Sequence, residues 1–380
     1  MVEDSVCLLG FGRIGFAAAT LLAEEGIEVV VYDASMARVE AARRRGFEAH
    51  LADASSPRAA AQIAERCRVA ATALPGRVAE AVVPRLVEAG IATIVDVSYV
   101  RDPFAYEEAA RKRDSVVYVD AGLAPGLSNM LAARLAQGIL RPLLVHVYVG
   151  GLAAEPKTPL GLVASWNIED LLEEYTRPAR ARINGEPAQL DPIADATTVT
   201  IPGHGEFEAL PTDGLRTLLR TLKEPSTLIE YTLRYPGHVA LLRSLRELGL
   251  LEERSYVVEG CASPPRSLLA RLLEERLPQS GDRVVLYVVA EGEDRGGGLV
   301  RAEYYLDATQ QELGLPDEMT ALAYLTGLVF AWFVLQALRE PRREPGVVPP
   351  EALAGIVHEL IGRLRARGVT VSKRVCVVER

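Results

Sequence analysis

The sequence predicts an α/β protein: a Rossmann-type, doubly wound parallel sheet at the N-terminus, then a second α+β domain with a mixed sheet. Three observations predict it. Apolar runs at 5–9, 28–32, 47–51, 69–73, 92–97 and 116–120 alternate with helical patterns such as 13–25 and 78–89, the rhythm of parallel strands covered on both faces. A glycine-rich turn, Gly10-Phe11-Gly12-Arg13-Ile14-Gly15, joins the first run to the first helix. From about 140 the alternation gives way to strand-like stretches at 143–152 and 224–235. A hairpin is expected where "DRVVLYVVAEGE" and "LVRAEYYLD" meet across "DRGGG".

The totals fit this organisation. A chain of 380 residues exceeds one ordinary core. A net charge of −9, with basic residues scattered among acids, argues against a nucleic-acid partner. The four cysteines have no CxxC spacing, and Cys7 and Cys376 lie in apolar, strand-like runs. They are expected as buried thiols of a reducing, cytoplasmic protein, with no metal site. The chain opens in strand-like residues without a leader pattern. "MTALAYLTGLVFAWFVLQAL" (319–338) carries no charge and is long enough to span a membrane. Thr320, Tyr324, Thr326 and Gln336 interrupt it, and it is read as a buried helix. Two further segments are expected as helices, 167–175 and 350–367, with "EPRREPGVVPP" as a proline-rich loop and "VTVSKRVCVV" as a last strand.

The glycine turn points to a dinucleotide. Gly10 makes the tight turn, Gly12 admits a pyrophosphate to the backbone, and Gly15 lets helix pack on strand. The helix N-terminus offers free N–H groups to phosphate. Asp33, followed by Ala34, ends the second strand, where an acid accepts the ribose diol and repels a 2′-phosphate, favouring NAD over NADP. Arg38 stands close enough to weaken that preference. Asp53 and Ala54 would flank adenine, and Leu74-Pro75-Gly76 would pass the nicotinamide ribose. Val97 and Ser98 follow the fifth strand; "VDAGLAPGLSN" (119–129) follows the sixth. All lie at the carboxyl edge of the sheet, where such folds bind ligands.

These residues resemble a known family. The glycine turn, Ser98-Tyr99 and "GLAPGLSN" resemble saccharopine dehydrogenase-like oxidoreductases. "SWNIEDLLEEYTRPA" (165–179), "EALPTDGLRTL" (208–218) and "YTLRYPGH" (231–238) resemble one branch more closely, the L-lysine 6-dehydrogenases. Saccharopine reductases tend to carry an acid in the loop where this chain has Ala124. The resemblance implies hydride transfer from the ε-carbon of lysine to NAD and an assembly of at least a dimer. It also implies C-terminal helices that return to the first domain. The domains are therefore expected at 1–125 with 318–380 (dinucleotide) and 126–317 (substrate and dimerisation).

The lysine amine, with a pKa of about 10.4, must lose its proton before its carbon can release hydride. A carboxylate on the substrate calls for a guanidinium. Arg234 and His238, in "LRYPGH", are the expected cation and titratable group. Asp213 and Arg216 could bind substrate, Asp213 serving equally well as a helix N-cap and Arg216 as a solvated residue. Tyr99 could hydrogen-bond the amine or water, or pack as a lid. Asp120 is counted with Tyr99 and His238 among the catalytic candidates and is expected to end its strand and hold the loop, whereas Ala124, Pro125 and Gly126 would border the substrate. Trp166 and Tyr175 could wall its aliphatic chain or simply fill the core. Two alternatives stand: a saccharopine dehydrogenase, and a regulatory module that senses NAD without catalysis.

Overall fold

The computed structural model describes residues 5–156, 160–340, 342 and 344–378; part of the proline-rich 340–350 stretch, at 341 and 343, lies outside them. The chain divides into two units, 1–130 with 323–360 and 131–322 with 361–380.

The first unit begins as the alternation predicts. The strands are β1 (Ser5–Leu9), β2 (Glu28–Asp33), β3 (Glu48–Leu51), β4 (Val69–Thr72), β5 (Thr93–Asp96) and β6 (Val116–Tyr118). Between them run α1 (Arg13–Glu24), α2 (Met36–Arg44), α3 (Pro57–Arg66), α4 (Gly76–Glu88) and α5 (Glu107–Lys112). α1 turns Ala17, Ala18, Leu21 and Leu22 inward, the spacing of one apolar helix face. Every pairing is parallel, and the order reverses between β1 and β4. That reversal opens a crevice at the carboxyl ends of the strands. A core of Cys7, Val30, Ile63, Leu86, Ile94 and Val117 lies beneath the sheet.

The second unit follows α6 (Leu127–Ala136) with β7 (Arg141–Ala153), α7 (Ile168–Glu174), β8 (Ala179–Ile183), β9 (Glu186–Leu190), β10 (Thr197–Ile201) and β11 (Gly205–Pro211). Next come α8 (Leu218–Thr221), β12 (Thr227–Arg234), α9 (His238–Glu247), β13 (Tyr256–Val258), β14 (Cys261–Ser263) and α10 (Pro265–Arg276). β15 (Asp282–Glu293) and β16 (Leu299–Thr309) form the expected hairpin. Its large sheet is mixed: β12 runs parallel to β7, whereas β15 runs antiparallel to β7. Tyr231, Tyr148, Tyr287 and Tyr305 form one row across four neighbouring strands, and the first three stack ring on ring. On the other face α7, α9 and α10 contribute a core with Leu171, Tyr175, Leu210 and Leu242.

The chain closes with α11 (Ala321–Arg339), β17 (Gly346–Val348), α12 (Val357–Ala366) and β18 (Val371–Val378). The carboxylate of Asp282 caps α11, accepting from the N–H groups of Ala321 and Leu322 at 2.6 and 2.9 Å. α11 takes up most of the charge-free segment, ends at Arg339 and is mostly buried. A Cβ on Gly327 would approach Ala17 of α1 within 2.6 Å, so glycine lets these helices meet.

Five expectations need correction. Cys7 is no free thiol: it forms a disulfide with Cys67, with a Cα–Cα distance of 5.8 Å. The two are 60 residues apart in sequence, and only the adjacency of β1 and β4 brings them within bonding reach. Cys376 is half-buried rather than buried, because β18 pairs on one side only, with β16. The proline-rich stretch supplies a seventh strand, β17, paired to β6. Finally, β18 joins the second unit's sheet instead of the dinucleotide domain. The helix expected over 350–367 opens as a 3₁₀ turn, 350–356, before α12.

Candidate functional site

In the first unit the glycine turn is shaped for a phosphate. Gly10 has φ +95, and a Cβ there would fall on the carbonyl of Ala73. A Cβ on Gly15 would fall on the carbonyl of Gly10. Gly12 differs: nothing lies within 4 Å of where its Cβ would stand. Gly12 is also the N-cap of α1 and supplies no side-chain cap, so the helix starts beside open room. Phe11 is buried, while Arg13 and Ile14 are half-buried on the first turn.

Asp33 closes the other side of that space. Its Oδ2 accepts the Phe11 N–H at 2.8 Å and its Oδ1 accepts the Ser35 N–H at 2.8 Å. The carboxylate is thereby fixed at the end of β2, 6% exposed, beside an exposed Ala34. Arg38 Nη1 stands 3.8 Å from it with its side chain 54% exposed. Asp53 is exposed and accepts the N–H and hydroxyl of Ser55, which hold its carboxyl below the usual range; Ala54 is buried. These residues fit a dinucleotide: open room over Gly12 for a pyrophosphate and a fixed acid for a ribose diol.

The loops after β4, β5 and β6 are tied together. The Leu74 N–H donates to Ser98 Oγ at 3.3 Å, and the Val97 N–H to the Thr72 carbonyl at 3.1 Å. Pro75 is the N-cap of α4. A Cβ on the next residue, Gly76, would fall on the carbonyl of Tyr99, whose ring is half-buried. In the stretch 119–129 the glycines serve the loop itself. Gly126 has φ +137, and its Cβ would fall on Gly122. The Gly122 N–H donates to the Pro125 carbonyl and the Leu127 N–H to the Gly122 carbonyl. Asn129 Oδ1 accepts the Gly126 N–H, leaving Ala124 and Pro125 half-buried at the tip. Asp120, with φ +52, is buried.

The second unit gathers buried charge. Arg234 is 3% exposed and donates from Nε to Tyr175 Oη at 2.9 Å, from Nη1 to its own neighbour's carbonyl, Leu233, and from Nη2 to Glu174 at 3.3 Å. His238 Nδ1 lies 2.9 Å from the Leu160 carbonyl, which can only accept, so Nδ1 carries the proton. Nε2 therefore accepts from Tyr175 Oη at 3.1 Å. Burial, reinforced by Arg234, pushes His238 down to about 3, so the ring is neutral. Burial pushes Glu174 up to about 7 against the opposing pull of Arg234. Asp213 is gripped by Arg180 at 2.8 and 2.9 Å. It does not cap α8, whose N-cap is Thr217. Arg216 is 3% exposed with φ +44, not a solvated helix residue. Trp166 packs beside Tyr175 in the helix-side core.

Thus Arg234, His238 and Tyr175 come together, with Glu174, which the sequence reading overlooked in a run of acids. Their polar atoms are engaged with one another. Asp213 and Arg216 share the loop after β11, and Tyr99, Asp120 and Gly126 share the strand-end edge of the other unit.

Comparison with known proteins accounts for both units. A model of the saccharopine dehydrogenase C-terminal domain matches residues 122–369, well over half of the sequence. The chain belongs to the saccharopine dehydrogenase family. A TrkA-N domain model matches residues 6–82 of its dinucleotide half. The chain is 27% identical over 205 residues to the saccharopine dehydrogenase [NADP(+), L-glutamate-forming] of Schizosaccharomyces pombe, covering 49% of this chain and 45% of that protein. The match thus spans about half the length of that relative. The apo saccharopine dehydrogenase (L-Glu forming) of Saccharomyces cerevisiae shares the fold, with TM-score 0.78 at 20% identity, covering 98% of this chain and 100% of that one.

Proposed function

We propose that the protein is an amino-acid dehydrogenase acting on a CH–NH2 carbon, with NAD as the nucleotide and the ε-carbon of L-lysine as the reacting centre. One observation carries the reading: a fixed Asp33 carboxylate facing an open, uncapped helix start over Gly12. The nicotinamide of a bound dinucleotide supplies a hydride acceptor. The N–H groups at the start of α1 would hold its pyrophosphate, and Asp33 its ribose diol. The amine must first lose a proton. Tyr99 and Asp120, at the ends of β5 and β6, are the acceptors this reading names. His238 orients Tyr175 and Arg234, because its acceptor nitrogen is already engaged. The imine is then hydrolysed to the aldehyde and ammonia.

The resemblance supports a homodimer, and the net charge of −9 supports the absence of a nucleic-acid partner. A cytoplasmic location is expected from the cysteine pattern, and no membrane partner from a buried reading of 319–338. The Cys7–Cys67 bond removes the free-thiol ground for a reducing compartment, where such bonds are uncommon. A second reading is favoured by the relatives' names: a saccharopine dehydrogenase that forms glutamate and uses NADP. The test mixes purified protein with NAD or NADP and either L-lysine or saccharopine at alkaline pH, following absorbance of the reduced nucleotide. Turnover of lysine with NAD supports the first reading. Turnover of saccharopine with NADP replaces it. Nucleotide binding without turnover of either favours a sensor.

A further inference from the structure

The ends of β4 and β5 meet at one buried carboxyl group, Asp96, which is 0% exposed. Its Oδ1 accepts the Thr72 hydroxyl at 2.7 Å and the Ser98 N–H at 3.1 Å. Its backbone carbonyl accepts the Ala121 N–H at 3.0 Å, tying in the residue after Asp120. Among the described residues its Oδ2 has no hydrogen-bond partner and no contact with water. A buried carboxylate oxygen with no donor is costly to keep. Asp120, with φ +52 and 1% exposed, precedes the residue whose N–H reaches the Asp96 carbonyl.

We propose that Asp96 is a positioning residue that works as a neutral acid in mildly acidic solution, holding the ends of β4 and β5 together on the nucleotide side of the sheet. A proton on Oδ2 removes the charge from a buried oxygen that no donor reaches, and such a proton is invisible in heavy-atom positions. Burial, with a contribution from Asp120, also pushes Asp96 up to about 6, against the pull of Ser98 and Thr72. The group does not touch substrate. It holds the Thr72 hydroxyl at the end of β4 and the N–H of Ser98, whose own hydroxyl receives the Leu74 N–H. The inference rests on the crevice reading above only for its effect on nucleotide binding.

The experiment compares wild type with Asp96→Asn and Asp96→Leu in the full chain. Asparagine copies the protonated form, donating from its amide where the acid proton stood. At pH 6, Asp96→Asn should bind NAD within about twofold of wild type. Asp96→Leu, which loses the loop bonds, should bind about tenfold more weakly. Infrared spectra recorded against pH should show a protonated carboxyl band that persists to about 6 and is absent from Asp96→Asn. Because the folded group titrates above its unfolded value, it costs stability increasingly from pH 4 to 6. The thermal midpoint of Asp96→Asn should therefore rise relative to wild type across that window and then level. An asparagine variant as damaged as leucine, or no such band, overturns the proposal. If wild type binds no nucleotide, the crevice reading fails, while the infrared and thermal results still decide the role of Asp96.

Discussion

The two units use polar groups in opposite ways. Around Gly12 and Asp33 the first unit leaves room beside an uncapped helix start. In the second unit Arg234, Glu174, Tyr175 and His238 bind one another, and Arg177 pairs with Glu173 while Arg180 holds Asp213. A glycine motif demands a backbone geometry, so its function reads directly from sequence. A charged residue has many uses, so its type alone says little about whether it is free.

The largest test of that contrast is Arg234→Met. If the guanidinium chiefly holds a buried network, its loss strands Glu174 and Tyr175 and costs about 3–5 kcal/mol of stability. Chemical denaturation with intact protein measures this. A KM increase for lysine with unchanged stability would instead make Arg234 a substrate clamp and break the comparison.

Next in size is the Cys7–Cys67 bond. Closing a loop of 60 residues should contribute about 2–4 kcal/mol. The Cys7→Ala, Cys67→Ala double variant should lose that amount in the first unit's unfolding, followed by nucleotide-free denaturation. Equal stability with and without the bond would show that β1 and β4 are already fixed by their pairing.

Much of the first unit was legible because period and motif agree. All six anticipated strands occur, and Gly10 and Gly15 make the close backbone approaches that the turn requires. β17 was not, because its three residues sit among prolines that signal a loop. β8 to β11 were hidden as well: β9 and β10 are largely exposed and lack an apolar alternation. Asp96 lay inside "VDVSY" as an acid ending an apolar strand, a signal that went unused. Glu174 followed another acid and looked solvated. Burial of an acid depends on which helix faces which sheet, and no local pattern records that.

A smaller and sharper effect is expected from Gly12→Val. Open space around Gly12 means the fold should tolerate the side chain, with an unchanged thermal midpoint. The same side chain occupies the room kept for pyrophosphate, so NAD affinity should fall about a hundredfold, near 3 kcal/mol. Loss of both stability and binding would mean that the space is needed by the fold itself.

The smallest effect concerns Arg38, whose side chain is 54% exposed and 3.8 Å from Asp33. An exposed pair of this kind is worth about 0–1 kcal/mol, so Arg38→Ala should leave stability and NAD affinity almost unchanged. Its consequence lies in the difference between nucleotides. Asp33 repels a 2′-phosphate, and Arg38 is the cation best placed beside it to offset that repulsion. Removing Arg38 should therefore weaken NADP binding by about threefold to fivefold and widen the preference for NAD. Removing Asp33 instead should narrow it. If both substitutions shift the two nucleotides equally, neither residue reads the ribose, and the acid at the end of β2 serves only to hold the Phe11 and Ser35 N–H groups in place.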